Sequence, residues 1–113
     1  MRGRALSTKT LDRTLVALAD PTRRKLIERI GRETQRAGDL CRGLPMSRPA
    51  VSRHLRVLRR AGLVVASPAG REVQYRLAHP QRLVEARQYL ERISRFWDQA
   101  LDAFKALAEG ARE

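Results

Sequence analysis

The sequence is poor in the residues that most binding and catalytic chemistries need. In 113 residues it has one cysteine, two histidines, no asparagine and 4% aromatics. Cys41 alone cannot close an intrachain disulfide, so a reducing cytoplasm is the expected location. One thiol with two imidazoles, His54 and His79, falls short of the roughly four converging ligands of a thiolate or imidazole metal site. No metal and no cofactor are expected. A Gly-rich phosphate loop, a Ser/His/Asp arrangement and a concentrated carboxylate pair are all missing, so an enzyme is not expected either. No apolar run approaches the ~20 residues of a membrane span. The basic N-terminus lacks the apolar segment of a secretory signal.

The acids are scarce in one particular place. The net charge is +12. Residues 1–76 carry 18 Lys/Arg against 6 Asp/Glu, whereas residues 77–113 carry 6 of each. From Leu40 to Arg71 there is no acid, while Arg42, Arg48, Arg53, Arg56, Arg59, Arg60 and Arg71 are present. A local field of this kind attracts a polyanion, with an affinity that falls as salt rises. Biased codon usage accounts for arginine outnumbering lysine, but not for the acid-free window.

Hydrophobic residues make up 42%, enough for one compact domain over 1–113. Leu11, Leu15 and Leu18 predict a first helix over about 7–19, behind a frayed lead-in at 1–6. Asp20-Pro21 reads as the start of a second helix reaching Ile30, with Leu26, Ile27 and Ile30 inward. A third helix is expected over 37–44. Ser47-Arg48-Pro49 then opens a fourth, where Val51, Leu55 and Leu58 share one face and Gly62 marks the stop. These two form a helix-turn-helix over about 37–61. Strand-like runs at 63–67 and 72–77 flank Pro68-Ala69-Gly70-Arg71, giving a hairpin wing over about 63–77. A long helix over about 80–109 carries two apolar stripes, more than a domain this small covers, which argues for a second subunit. The expected fold is mainly α with a small β-hairpin: a winged helix-turn-helix with a long C-terminal dimerisation helix.

Opposite the packed face of the fourth helix lie Pro49, Ser52, Arg53, Arg56 and Arg60. Arginine bonds bidentately to guanine, and serine reaches base edges or phosphate, so Ser52, Arg53 and Arg56 are the leading candidates for a major groove. The plainer alternative is phosphate contact, which positions without specifying. Ser47 suits a phosphate at a helix N-terminus, and Arg48 and Pro49 a base edge or thymine methyl. His54 is a candidate contact, or else bonds within the domain. Arg71 at the wing tip suits a minor groove, or is a solvated loop residue. Two function classes fit: a sequence-specific DNA-binding regulator, and a basic architectural or RNA-binding module without sequence preference. The second is disfavoured because the few aromatics lie mostly in the last helix, away from the basic region.

LADPTRRKLIERI (18–30), SRPAVSRHLRVLRRAGLV (47–64) and GREVQYRL (70–77), in this order of elements, resemble the ArsR/SmtB family of bacterial winged-helix repressors. FWDQAL (96–101) is similar to a branch whose last helix carries an aromatic-Trp-Asp cluster. The resemblance spans about 11–107. It implies a homodimer joined by the first and last helices, with Leu11, Leu15, Leu90, Ile93, Phe96, Trp97, Leu101 and Phe104 as interface candidates, repressing from an inverted-repeat operator. The family's Cys-x-Cys ligand set corresponds here to Leu40-Cys41 with a single thiol, and its Asp, His, His, Glu set to a last helix without histidine. The chain therefore resembles a branch lacking the known metal-ligand sets. A metal- or redox-responsive repressor with an unrecognised sensor is the lesser alternative, with Cys41 read either as a small buried hydrophobe or as a redox residue.

Overall fold

The computed structural model describes the backbone of residues 2–112 and the side chains of 9–110. Helix α1 (Arg2–Ala17) starts earlier and ends earlier than the leucine spacing predicts. Arginine, alanine and leucine are strong helix formers, so the expected lead-in continues the helix from residue 2, residue 1 lying outside the described residues. At the far end the Ala19 N–H donates to the Val16 carbonyl (3.2 Å), a tightened turn that closes α1. Helix α2 (Pro21–Arg32) begins where expected. Asp20 caps it, its Oδ1 accepting from the N–H groups of Thr22 (2.8 Å) and Arg23 (3.1 Å).

A short strand β1 (Gln35–Arg36) follows, which two residues of no distinctive type could not announce. Helix α3 (Ala37–Leu40) is half the expected length. Gly43 adopts a left-handed φ of 72°, and the Arg29 guanidinium draws the carbonyls of Leu40 (3.1 Å) and Arg42 (2.8 Å) to itself. The 41–44 segment therefore closes as tight turns instead of another helical turn.

Helix α4 (Arg48–Arg60) is held at both ends. Ser47 Oγ accepts from the Ala50 N–H (3.3 Å). At the other end Leu63 N–H reaches Leu58 O (3.0 Å) and Gly62 N–H reaches Arg59 O (2.9 Å), with Gly62 at φ 77°. This is a Schellman turn, and the accompanying apolar contact is the buried pair Leu58 and Leu63. Strands β2 (Val64–Ala69) and β3 (Glu72–Leu77) pair antiparallel from Val64↔Leu77 to Ala69↔Glu72. Only Gly70 and Arg71 are left for the turn, and Gly70 takes the positive φ (65°) that a two-residue hairpin asks of its first position. Pro68 is thus a strand residue. It is tolerated because β2 is an edge of the sheet, whose order is β1-β3-β2.

Helix α5 (Gln81–Arg112) is the long element, 32 residues or roughly 48 Å. Its first turns pack on the domain: Ala86 is buried and Leu83 lies against the core. That core joins Leu26, Ile27 and Ile30 of α2, Leu40 of α3, Val51, Leu55 and Leu58 of α4, and Leu63 and Val64. The stripes of α2 and α4 were legible from their helical spacing. Beyond Ile93 every described α5 residue is exposed, so the helix runs away from its own domain.

Candidate nucleic-acid interface

Burying Val51, Leu55 and Leu58 forces the opposite side of α4 into solvent, and Pro49, Ser52, Arg53, Arg56 and Arg60 are all exposed there. No carboxylate lies on this helix or its flanking turns. The two flanks of the helix differ. At 100° per residue, Arg48, Ser52 and Arg59 fall toward the wing, and Ala50, His54, Val57 and Ala61 fall toward α1 and α2.

On the wing side, Glu72 at the foot of β3 faces two arginines. Its carboxylate lies 3.6 Å from Arg48 and 3.9 Å from Arg36, all three side chains being partly open to solvent. Arg48 is therefore shared between the exposed face and the wing. Arg71 stands free and exposed at the hairpin tip.

On the other flank His54 is turned inward, its side chain 23% exposed. Its Nδ1 lies 3.4 Å from Arg23 Nη1 and 3.9 Å from Asp20 Oδ1. Of the two readings open for His54, the geometry matches bonding within the domain. Arg23 also donates to the Ala17 (2.5 Å) and Val16 (3.2 Å) carbonyls, so one guanidinium ties the end of α1 to the middle of α4. The N–H of Arg23, and after it that of Thr22, hold the Asp20 carboxyl below its ordinary 3.8, with His54 and the Arg23 charge adding to them against the opposing effect of burial. At the C-terminal end of α4, Arg82 of α5 donates to the Ala61 carbonyl (2.8 Å). Sequence reasoning missed Arg23, Glu72 and Arg82. Their partners are far along the chain, and no local pattern marks them.

The interface candidates of the last helix lie in the open. Phe96, Trp97 and Phe104 are 61%, 58% and 68% exposed, and Leu90 and Leu101 are exposed as well. Phe96 and Trp97 meet edge to face, with ring centroids 5.8 Å apart. Leu11, Leu15 and Ile93 are half-buried within the chain, and α1 packs on α5. Cys41 is a free, half-buried thiol. Among the described residues no three His, Cys, Asp or Glu side chains gather as a metal site, and no helix is long and apolar enough to cross a membrane.

A two-helix reader with an arginine-bearing outer face, followed by a hairpin wing, defines a winged helix-turn-helix DNA-binding protein. A helix-turn-helix domain family matches residues 18–65. The chain is 45% identical over 98 residues to the HTH-type transcriptional regulator Rv2034 of Mycobacterium tuberculosis, covering 87% of this chain and 88% of that one. It is 45% identical over 65 residues to the HTH-type transcriptional repressor SmtB of the same species, covering 57% of this chain and 47% of that one. Among solved structures it resembles an ArsR-like transcriptional regulator from Rhodococcus sp. RHA1, with 39% identity, TM-score 0.63, and 89% and 94% of the two chains covered. The chain belongs to the ArsR/SmtB family and is a DNA-binding transcriptional regulator, not an enzyme.

Proposed function

We propose that the protein is a homodimeric repressor that reads an inverted-repeat operator with α4 and touches the flanking groove with its wing. The observation that carries the reading is the outer face of α4. A helix capped at both ends, with no acid of its own, presents Pro49, Ser52, Arg53 and Arg56 together, with Arg71 on the adjoining hairpin. In this reading Ser52, Arg53 and Arg56 enter the major groove. Ser47, already spent as the cap of α4, offers the helix N-terminus to a phosphate. Arg48 and Pro49 sit at the groove edge, and Arg71 reaches the minor groove. His54 supports α4 from behind instead of meeting a base.

The dimer is supported by α5. Leu90, Ile93, Phe96, Trp97, Leu101 and Phe104 form a continuous apolar face that this chain leaves largely uncovered. The half-buried Leu11 and Leu15 of α1 extend it. Two copies joined along α5 bring two α4 helices to one side, and a two-fold pair of readers requires a dyad in the DNA. The repressing sense follows the name of the SmtB relative.

The test is selection of bound sequences from random DNA, then footprinting of the winner. Protection of a dyad with half-sites about one helical turn apart supports the reading. Equal affinity for selected and random DNA identifies a basic module without sequence preference instead.

A further inference from the structure

We propose that the gap between the ends of α1 and α4 is a binding site for a small amphipathic anion, a carboxylate on an apolar chain or ring, and that filling it weakens DNA binding. The gap is a groove of about 370 Å³, open to solvent along one side. Its walls are Val16, Ala17, Val57 and Ala61. Ala17 and Ala61 are buried at its base, and the exposed Val16 (67%) and Val57 supply its open aliphatic surface.

The rim consists of Asp12, Arg13 and Arg60. Two guanidiniums outnumber one carboxylate, and among the described residues neither arginine is engaged in an ion pair or a hydrogen bond to a protein acceptor. An apolar floor with surplus positive charge at its mouth suits a molecule with an apolar body and one negative end. A second copy of the chain is a poorer fit, because the exposed leucine and aromatic side chains lie on α5, which contributes nothing to this gap.

The location gives the site a consequence. Val57 follows Arg53 by one helical turn, and Arg60 projects within about 20° of Arg53 around the helix axis. A carboxylate held at Arg60 withdraws a cation from the DNA-facing side and places an anion close to the phosphates. This second half rests on α4 being the reading helix, whereas occupancy of the gap does not.

Octanoate is the probe, titrated calorimetrically into the full chain without DNA, with 1-octanol and octylamine as comparators. One octanoate per chain is expected, with both comparators at least about tenfold weaker. Arg13→Gln and Val16→Trp, the latter filling the gap from an exposed position, should each weaken octanoate at least about fivefold. Binding that neither substitution weakens, or octanol or octylamine binding as tightly as octanoate, overturns the site. With selected operator DNA, saturating octanoate should lower affinity at least about fivefold in the unaltered protein and not in Val16→Trp. Unchanged operator affinity despite octanoate binding overturns the regulatory half. Octanoate binding as expected in a protein that selects no DNA sequence leaves the site standing and overturns the operator reading alone.

Discussion

At the scale of single residues, a few side chains carry both the position and the chemistry of the reader. Arg53 stands at the centre of the exposed face of α4. Arg53→Ala should cost about 1–3 kcal/mol of operator affinity and flatten base preference at one position of each half-site, as measured by competition between selected and single-mismatch DNA. Asp20 carries stability instead. Its folded carboxyl titrates below the unfolded value of 3.8, so its contribution is complete above that value and is lost as pH falls through the folded one. Asparagine keeps the cap without the charge. Asp20→Asn should therefore melt with a shallower pH dependence than the unaltered protein in thermal scans below about pH 5, whereas Asp20→Ala should lose about 1 kcal/mol at neutral pH. Asp20-Pro21 was readable as a helix start from adjacent residues alone. The His54 partner of Asp20 was not, because α4 lies far from Asp20 in the sequence and only packing brings them together.

At the scale of elements, α4 is defined by its two ends and by what leans on them. Gly62 holds a left-handed backbone while the Arg82 guanidinium occupies the space a Cβ would take. Gly62→Ala strains the turn and displaces Arg82 from the Ala61 carbonyl. A loss of about 2–3 kcal/mol is expected, seen as a fall of roughly 5–15 °C in Tm. The wing offers the opposite sign. Glu72 places a carboxylate beside Arg48 and Arg36, and exposed pairs of this kind are worth only about 0–1 kcal/mol to the fold. Removing it frees two guanidiniums and takes an anion away from the phosphates. Glu72→Gln should leave Tm nearly unchanged, raise DNA affinity severalfold, and steepen the dependence of log affinity on log salt. The hairpin was legible through Val73, Tyr75 and Leu77 alternating with Glu72, Gln74 and Arg76. Its third strand was not, because Gln35–Arg36 acquires strand character only by pairing with Tyr75 and Gln74.

At the scale of the whole molecule, the chain is elongated, 72 × 40 × 21 Å, because α5 outruns the domain that anchors it. A 32-residue helix whose far half is exposed on every side is short of a partner. Leu101→Glu puts a charge in the middle of the apolar face without touching the core. It should leave the helical content unchanged by circular dichroism, shift sedimentation toward the monomer, and cost at least about tenfold in operator affinity, since one reader then binds without its twin. The distribution of charge belongs to this scale too. The basic surplus lies in residues 1–76 and residues 77–113 are balanced, so the proposed DNA-reading and dimer surfaces do not compete for the same partner.

The sequence by itself determined the order of the helices and the hairpin, the buried faces of α2 and α4, and the arginine face of a helix without acids. Each rests on neighbours within a few residues, where helical or strand periodicity and turn chemistry act directly. Tertiary structure alone decided which polar groups meet across the chain. It turned His54 inward to Arg23, shared Arg48 with Glu72, set Arg82 on the end of α4 and left a gap between Ala17 and Ala61. Those choices depend on where helices far apart in sequence come to rest, and side-chain spacing along one helix carries no record of that.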